Sequence, residues 1–527
     1  MTLLLMIAGS LFLVILMLVA KNVIASKLAL IRFKKLSKGL PMYPESRLFG
    51  NHVLNILVGD DNCEKIQMWH NKLGKTIGWL DGSKFCALTV DLNLIKTFIQ
   101  DEPDAHLSRG AYILPFGEFQ NSIMMARKNE WPRLRRMIGP ALAKNKFMTP
   151  NVLQEIEQSI TKVVDSIDKQ IASNRDPDYK FNIDDIMHKF SLDLIFRCFF
   201  KQEGQIEFDN PNDPWVKASE QAFESAKTSF LLRLAAVFPI ICHLLDWLMW
   251  NFLPQGACRQ KIMGFVKSQA ILGLKARKQL GRMKAEAKKT DAKIDESDFM
   301  LKDGTRFKRN MIDYVIDKHI EGKLTQTEYS NNAAFMLVAG EKTAMDATVH
   351  TIYLLSINQQ VQTQLRESIM ANGMESELLD WVIKESLRLL PPAPVGCSRT
   401  IERDIEIEGG HILPAGTYVV TCSYVIHRLK EYWGDDADEF RPERWRDTSH
   451  HHPFQYIPFG AGPRGCPGKM FAIHEMKTLF TTLLTRYKFE GSPRDDAYKF
   501  DSPFFIYLLP HSLTRVSIKH LNENHNN

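Results

Sequence analysis

A glycine-rich segment near the carboxyl end of the chain places one cysteine directly before a helix-like sequence. Residues 459–468 read FGAGPRGCPG, and Gly460, Gly462 and Gly465 precede Cys466. Glycines and prolines at this density predict a tight loop with unusual backbone angles. A thiolate at a helix amino terminus is stabilised by free N–H groups and the helix dipole. Cys466 is therefore a candidate reactive thiolate, although on its own a buried cysteine after a glycine turn is the plainer interpretation.

This segment resembles a known signature. It matches F-x-x-G-x-R-x-C-x-G of the cytochrome P450 superfamily at every defined position, which are Phe459, Gly462, Arg464, Cys466 and Gly468. The resemblance implies a haem b cofactor (iron protoporphyrin IX), with Cys466 as its axial thiolate and metal ligand. It also implies a monooxygenase that inserts one oxygen atom of O2 into a C–H bond. The implied fold is mostly α-helical with a small β region, formed by a single large domain.

Three further residues resemble the structural support of the haem loop in that family. Glu385 and Arg388 match E-x-x-R, and on a helix they lie one turn apart and can pair. Without the resemblance, such a pair would be an ordinary surface salt bridge of little energetic value. The family interpretation is a buried pair that is completed by Arg444 in FRPERW.

Four residues resemble the partners of the haem propionates. Trp131 and Arg135 match W-x-x-x-R, Arg464 lies in the cysteine loop, and Arg399 follows a proline pair. Guanidinium groups are suitable donors to the carboxylates of a buried dianionic cofactor. Each of these residues alone has an ordinary surface explanation.

The segment AGEKT, residues 339–343, resembles the oxygen-handling pattern A-G-x-(D/E)-T. The resemblance assigns the catalytic positions to Ala339, Gly340, Glu341 and Thr343. The sequence departs from the pattern because Lys342 occupies the acidic position, with Glu341 one residue early and Asp346 one turn late. A helix step of about 100° prevents Glu341 from simply replacing a residue at 342. The proton source is therefore open.

The expected substrate pocket is almost entirely apolar. Its candidates by family position are Phe335, Met336, Val338, Ala339, Pro394, Val395, Cys397, Phe504 and Phe505. Apolar linings bind lipophilic guests, so a steroid, terpenoid, fatty acid or xenobiotic is expected. The sequence does not separate these classes. A fungal-type enzyme of steroid or secondary metabolism is the working interpretation.

The amino terminus predicts a membrane anchor. Residues 3–20 carry no charge and are long enough to span a bilayer, and the basic residues that follow would keep the next domain on the cytosolic side. A cleaved signal peptide is the alternative, and the lack of a basic residue before the apolar run weakens it. We expect an anchor over residues 1–22, a basic and proline-containing hinge over 23–45, the catalytic domain over 46–520 and a polar tail over 521–527.

The expected partners follow from the same resemblance. Electrons would come from a separate NADPH–cytochrome P450 reductase, with cytochrome b5 as a candidate second donor, at the endoplasmic reticulum membrane. The reductase could dock at a basic surface formed by Arg135, Arg136, Lys144 and Lys146. A net charge of +6 without a compact basic and aromatic stripe gives no case for nucleic acid. Two rival functions are a haem-thiolate isomerase or dehydratase that needs no reductase, and a haem-binding sensor without catalysis.

Periodicity predicts a mostly helical chain with strands in a few places. The clearest helices are expected over residues 151–174, 214–232, 261–289 and 326–355. Strands are expected over 77–89, 404–407, 418–423 and 504–509. Residues 282–309 are rich in charge and predict a solvated helix end and loop. Residues 238–253 are apolar but too short to span a membrane, and they fit either a core helix or a membrane-resting patch.

Overall fold

The structure is a computed structural model. It describes residues 17, 20–21, 23–43, 62–81, 84–103, 106, 108, 121–174, 176, 179–228, 247–248, 251–252, 254–290, 298–304, 306–394, 398–491, 500–501, 509–510 and 514–521. The expected anchor over 1–22 lies almost wholly outside these residues, as do the pocket candidates Val395, Cys397, Phe504 and Phe505. Within the described part of the chain, no helix is both long and apolar enough to cross a bilayer.

Helices form most of the described chain. Residues 23–36 are helical, and they are followed by α1 (Asn62–Leu73), α2 (Leu92–Lys96), α3 (Trp131–Ile138), α4 (Lys144–Phe147), α5 (Pro150–Ser173), α6 (Ile183–Phe200), α7 (Pro214–Thr228), α8 (Pro254–Thr290), α9 (Asp313–Ile320), α10 (Gln326–Ile357), α11 (Gln359–Asn372), α12 (Glu377–Leu389), α13 (Ser423–Ile426), α14 (Lys430–Trp433) and α15 (Lys469–Leu484). Short 3-10 or π turns occupy Thr97–Asp101, Gly139–Leu142, Gly373–Glu375, Glu408–Gly410 and Pro442–Trp445.

The strands are short and lie beside the helical body. They are β1 (Thr76–Asp81), β2 (Lys84–Thr89), β3 (Phe181–Asn182), β4 (Asp298–Met300), β5 (Arg306–Lys308), β6 (Arg399–Thr400), β7 (Ile405–Ile407), β8 (His411–Leu413), β9 (Tyr418–Thr421), β10 (Tyr487–Glu490), β11 (Phe500–Asp501), β12 (Leu509–Pro510) and β13 (Arg515–His520). The largest sheet has the order β1-β2-β9-β6, and a second has the order β10-β13-β3.

The largest sheet joins distant parts of the chain. Strands β1 and β2 form an antiparallel hairpin, whereas β2 pairs in parallel with β9, so that Cys86 lies opposite Tyr418 and Thr89 opposite Thr421. Strand β6 completes the sheet through Arg399, which lies opposite Val419. The early strands and the segment after the proline pair therefore form one layer.

The long helix α10 runs through the main core and carries the AGEKT segment. It starts with a capping box, in which the Thr325 hydroxyl accepts from the Glu328 amide and the Glu328 carboxylate accepts from the Thr325 amide. Helix α6 packs along it and is buried over almost its whole length. A helix that is buried on all sides belongs to the interior of a large fold. These two helices form the centre of the molecule.

The expectations for secondary structure agree well with the observed elements. Helices α5, α8 and α10 agree with three predicted helices, α7 agrees with the predicted helix over 214–228, and the predicted early strand is the β1–β2 hairpin. Residues 229–232 of the predicted helix and 504–508 of the predicted late strand lie outside the described residues. One expectation was incomplete, because the charged segment 282–309 contains a hairpin as well as a helix end. Strands β4 and β5 pair there, and Phe299, Leu301 and Phe307 pack with Ala276 of α8. The hairpin forms because alternate residues of this charged segment are apolar and can pack on one side of the strands.

Candidate active site

The cysteine loop is held by backbone hydrogen bonds. The Cys466 amide donates to the carbonyl of Phe459 at 2.9 Å, and the Gly465 amide donates to the carbonyl of Gly462 at 2.9 Å. Helix α15 begins directly after Gly468, and a Cβ on that glycine would lie 3.9 Å from the Cys466 sulfur. Cys466 is exposed, whereas Cys86, Cys198, Cys258 and Cys422 are buried. The loop thus presents a thiol beside a helix amino terminus.

Gly462 is required by a close approach as well as by its backbone angle. Its φ is +67°, in the region that favours glycine. A Cβ at this position would lie 2.5 Å from Ile99 Cγ2 and 2.9 Å from the Ile99 carbonyl oxygen. The cysteine loop is therefore pressed against the short turn that follows α2, and any larger residue would push the two segments apart.

Arg464 and Trp131 lie in contact, which connects the cysteine loop to helix α3. The Arg464 guanidinium carbon is 4.9 Å from the centre of the Trp131 ring, in cation–π geometry. The Arg464 guanidinium also donates to the carbonyl oxygens of Met124 and Ala126. Both Trp131 and Arg464 are buried. Two of the four expected propionate partners thus lie together.

Arg135 lies one turn after Trp131 on α3 and shares the electrostatic environment of Cys466. Burial lowers the pKa of the Arg135 guanidinium, and the Cys466 thiolate opposes that shift. Arg399 is 2% exposed, and its guanidinium donates to the Ser398 carbonyl at 2.8 Å. The charged heads of these arginines are thus held inside the fold, where a dianionic cofactor would need them.

The residues of α10 differ sharply in exposure around the helix. Phe335, Val338, Ala339, Gly340 and Thr343 are only partly buried, although most of their neighbours on this helix are buried. Ala339 and Thr343 are four residues apart and share one face. The Thr343 hydroxyl donates to the Ala339 carbonyl at 2.8 Å. The helix therefore presents a strip of mostly small side chains with one hydroxyl.

Glu341 does not lie on that strip. It is about 200° around the helix from both Ala339 and Thr343. Its carboxylate accepts from the Ser219 hydroxyl at 2.8 Å, and one oxygen lies 2.8 Å from His188 Nε2. This contact is an ion pair when His188 is protonated. Glu341 thus binds helices α6 and α7.

Gly340 has a packing role that the motif did not predict. A Cβ there would lie 2.9 Å from Ile195 Cδ1 of helix α6. Small residues are needed where two helices approach closely. Gly340 therefore allows the close approach of α10 to α6, separately from any role in oxygen binding.

Lys342, which replaces the expected acid, forms an ion pair with Asp346. Lys342 Nζ donates to Asp346 Oδ1 at 2.5 Å and lies 3.5 Å from the sulfur of Met345. Lys342 is 7% exposed and Asp346 is 1% exposed. Burial alone would lower the pKa of Lys342, but the attraction of Asp346 outweighs burial and raises it. The departure from the family pattern is therefore a buried lysine–aspartate pair.

Glu385, Arg388 and Arg444 form one buried cluster. Glu385 accepts two hydrogen bonds of 2.9 Å from Arg388 and one of 2.7 Å from Arg444 Nε. The Arg388 guanidinium also donates to the carbonyls of His427, Ala437 and Glu439. The cluster fixes α12 to the segment that leads towards the cysteine loop. Sequence analysis missed a fourth member, Trp445, whose indole N–H donates to Glu385 at 2.9 Å.

The remaining pocket candidates in the described chain are Met336 and Pro394. Met336 is buried at 7% exposure on α10. The Pro394 carbonyl accepts from the Ser423 hydroxyl at 2.9 Å, which ties the post-proline segment to α13. Ile99, Trp445 and His188 also shape the site. Each is a common residue whose contact partner is distant in sequence, so no spacing pattern indicates them.

These residues fit a flat, dianionic cofactor held by a thiolate. The exposed sulfur of Cys466 offers a metal ligand, and Trp131, Arg135, Arg399 and Arg464 offer N–H donors for carboxylates. The partly buried strip around Ala339 and Thr343 is the surface of α10 on which a planar group and a small guest would lie. Groups of three or more His, Cys, Asp or Glu side chains arranged to hold a metal ion do not occur in the described chain.

Comparison with known proteins agrees with this donor set. The cytochrome P450 family model matches residues 41–517. Similar curated proteins include cytochrome P450 3A29 of Sus scrofa, which is 28% identical over 476 residues (87% of this chain and 86% of the pig protein). Cytochrome P450 3A9 of Rattus norvegicus is 26% identical over 434 residues (80% of each chain), and cytochrome P450 3A5 of Homo sapiens is 26% identical over 476 residues (87% and 86%). The family model covers most of the sequence, and the chain belongs to the cytochrome P450 family.

Proposed function

We propose that this chain is a haem-thiolate monooxygenase in which Cys466 is the axial iron ligand and the substrate is lipophilic. Members of the family bind haem b through a cysteine thiolate and act as monooxygenases, so the cofactor and the reaction class follow from membership. The assignment of Cys466 is supported by its exposed thiol in a loop that backbone hydrogen bonds hold before α15. That observation carries the proposal.

Haem, when bound, supplies the iron centre at which dioxygen is reduced and one oxygen atom is transferred. The residues of this chain have separate tasks around it. Trp131, Arg135, Arg399 and Arg464 would neutralise and orient the propionates, and the Arg464–Trp131 contact would keep one guanidinium in place. Glu385, Arg388 and Arg444 would act on the cysteine loop indirectly, by holding the polypeptide that precedes it.

Thr343 would manage a proton at its hydroxyl. In the structure this hydroxyl donates to the Ala339 carbonyl at 2.8 Å, and its oxygen keeps acceptor capacity. It lies on the partly buried strip of α10, one turn after the small side chain of Ala339.

The substrate class follows from the apolar side chains along that strip. Phe335 and Val338 are partly buried, and Met336 lies beside them. Such linings bind apolar guests and fix their orientation with few polar contacts. We infer that the guest is a steroid, terpenoid, fatty acid or xenobiotic, and a fungal-type role in steroid or secondary metabolism is part of the same proposal.

The electron donor and the location complete the proposal. A membrane-bound NADPH–cytochrome P450 reductase would dock near the basic residues of α3 and α4, where Arg136 and Lys144 are exposed. Cytochrome b5 is a candidate for the same surface. The uncharged run over residues 3–20 and the basic residues behind it support a single-pass endoplasmic reticulum anchor with a cytosolic catalytic domain.

The difference spectrum of the reduced, carbon-monoxide-bound protein tests the assignment of Cys466. The wild type should give a strongly red-shifted Soret band, and Cys466→Ser should lose it. Cys422→Ser is the matched control, since it replaces a buried thiol elsewhere and should keep the band. Full haem content without this band in the wild type would refute thiolate ligation by Cys466.

A reductase-independent isomerase or dehydratase is the second candidate. The lysine at position 342 keeps this candidate open, because the usual acid for oxygen activation is absent, whereas the presence of Thr343 speaks against it. Product formation with and without NADPH and reductase separates the two functions. A monooxygenase requires both, whereas the isomerase or dehydratase turns over without them.

A further inference from the structure

Helices α6 and α10 bury a cluster of five ionisable side chains between them. The side chains belong to Asp184, His188, Glu341, Lys342 and Asp346, and each of the five residues is at most 7% exposed. Burial of ionised groups is costly unless the charges balance and each polar atom finds a partner. The composition of this cluster therefore limits its protonation state.

The cluster contains three carboxyl groups and two bases. Lys342 pairs with Asp346, His188 lies 2.8 Å from Glu341, and Asp184 accepts a hydrogen bond from the Thr514 amide at 2.5 Å. If every group were ionised, the buried cluster would carry one excess negative charge. Since isolated buried charges are expensive, the cluster is most stable when one carboxyl group holds a proton.

Asp346 is the carboxyl group that best fits this role. Lys342 contacts its Oδ1 atom, while Oδ2 is fully buried and meets no hydrogen-bond donor among the described residues. An unpartnered carboxylate oxygen is costly, whereas a protonated oxygen removes the charge. Glu341 Oε1 also lacks a hydrogen-bond partner in the described part of the chain, but it lies 2.8 Å from His188 Nε2, a base that can balance its charge.

Asp346 also lies close to Thr343 on α10. The two residues are three positions apart, which is about 4.5 Å along the helix axis and about 60° around it. Glu341 lies on the other side of the helix from Thr343. The position of Asp346 near Thr343 and its unpartnered Oδ2 atom together indicate a role in proton transfer.

We propose that Asp346 holds the proton that Thr343 delivers, and that Lys342 positions Asp346 and balances its charge after the proton has left. The pair would replace the acid that is missing at position 342. This inference rests on the proposed monooxygenase function. Lys342 is a positioning residue, because it acts through Asp346.

The proton balance of the step is simple. The O–H bond of the Asp346 acid breaks and its proton passes to the Thr343 hydroxyl oxygen, while that hydroxyl gives its own proton to dioxygen as NADPH-derived electrons reduce it. Asp346 becomes a carboxylate paired with the Lys342 ammonium. Thr343 is unchanged overall, and Asp346 must regain one proton from solvent.

His188 lies between the cluster and the exposed side chain of Glu220. His188 Nδ1 lies 3.9 Å from a carboxylate oxygen of Glu220, whose side chain is 56% exposed. Burial alone would lower the pKa of His188, but the attraction of Glu341 outweighs it and raises the pKa. A histidine between a surface carboxylate and a buried one is a suitable proton carrier.

The surrounding groups shift Asp346 towards its protonated form. Burial, together with Glu341 and Asp184, raises its pKa to about 6 against the lowering effect of Lys342, so Asp346 takes up a proton in mildly acidic solution. His350, one turn further along α10, stays neutral because burial lowers its pKa to about 4. The only cation facing Asp346 from these described groups is thus Lys342, with His188 farther off.

Two measurements on the holoenzyme test the proposal. The first is infrared difference spectroscopy of wild type against Asp346→Asn, in which the carbonyl stretch of a protonated carboxyl group is followed from about pH 5 to pH 7. The second is the fraction of consumed NADPH that is recovered as product rather than as hydrogen peroxide, together with its pH profile. Asp313→Asn is the matched control, since Asp313 is also buried and ion-paired, with Arg277, away from α10's strip.

We expect a carboxyl band that disappears as the pH rises and that is missing in Asp346→Asn. We also expect this variant to lose product yield by about tenfold or more in favour of peroxide, because a general acid contributes at least that much. Asp313→Asn should keep the wild-type ratio. In Lys342→Met the band should persist to higher pH, since the ammonium no longer lowers the pKa of Asp346.

Two results would overturn the proposal: an Asp346→Asn enzyme with wild-type product yield, or the absence of a titrating band from residue 346. Both can be judged in a protein with the thiolate Soret band, so they differ from a failure of the proposed function. That failure would appear as a wild type without the band or without NADPH-dependent product.

Discussion

Arg388 binds Glu385 through two parallel hydrogen bonds of 2.9 Å, and neither side chain is exposed to solvent. The same guanidinium uses its other N–H groups on three backbone carbonyls from the segment after α13. The pair therefore connects a helix to a long irregular segment that has little regular structure of its own. A buried ion pair of this kind specifies a position more than it adds stability.

Arg388→Lys should be strongly disruptive although it keeps the charge. Lysine cannot supply two parallel bonds to Glu385 and reach the backbone carbonyls as well. We expect a loss of about 3–5 kcal/mol in the free energy of unfolding, since a partner of a buried pair is left incomplete. Chemical denaturation and haem content measure it. Arg403→Lys, at a solvent-accessible pair with Glu102, is the control and should leave the free energy of unfolding almost unchanged.

Gly462→Ala should weaken haem retention as well as stability. The new Cβ would meet Ile99 at 2.5 Å and would also force a side chain into a φ of +67°. Gly322→Ala separates these effects, because Gly322 has a φ of +70° and no atom within 4 Å of a Cβ. We expect about 1–2 kcal/mol from the backbone alone at Gly322 and a larger loss at Gly462. Equal losses at both sites would contradict the role of the Ile99 contact.

Gly340→Ala tests whether the glycine of AGEKT serves helix packing. Its Cβ would lie 2.9 Å from Ile195 Cδ1, and Ile195→Val removes that atom. We expect the double variant to be more stable than the sum of the single variants predicts, by about 1 kcal/mol. Thermal unfolding of the four proteins gives this coupling. Strict additivity would mean that Gly340 is not needed for the approach of the two helices.

The stability of the fold should fall as the pH decreases below about 6.5. Burial lowers the pKa of His427 to about 3, and its Nε2 accepts a hydrogen bond from the Ile457 amide at 3.0 Å. Between these two pKa values His427 therefore stays unprotonated in the folded state, whereas the same histidine binds a proton in the unfolded chain. One such group contributes a slope of up to about 1.4 kcal/mol per pH unit between the two pKa values.

Unfolding free energies measured from neutral pH down towards pH 4 check this slope. His427→Gln should be less stable at neutral pH but should show a shallower dependence on pH. The exposed His450→Gln should keep the wild-type slope. A slope unchanged in His427→Gln would assign the acid sensitivity to other buried histidines such as His70 and His350, whose pKa values burial lowers to about 4.

Local patterns made the helices and the main motifs predictable. The spacing of Glu385 and Arg388 on one helix turn indicated a pair, and the glycines around Cys466 indicated a tight loop before α15. These features depend on neighbours within a few residues, which a sequence displays directly. The strand positions after the proline pair were predictable for the same reason.

Contacts between distant segments were not predictable from one sequence. Nothing near Gly462 indicates that Ile99 lies against it, and nothing near Glu341 indicates His188 as its partner. Whether Lys342 is exposed or buried could not be predicted either, because an i,i+4 lysine–aspartate spacing is common on solvated helix faces. Only the packing of α6 on α10 turns that ordinary spacing into a buried pair.

The parallel pairing of β2 with β9 has a consequence for how the chain acquires its structure. The hydrogen bonds between residues 86–89 and residues 418–421, which lie at the centre of the sheet, can form only after the later segment is available. During synthesis the amino-terminal hairpin is made long before its partner strand, while helices such as α5 and α6 can associate earlier. Pairings of such high sequence separation fold slowly and leave strand edges open to other chains. Truncation before residue 418 should therefore yield an aggregation-prone product with an unprotected β2 edge.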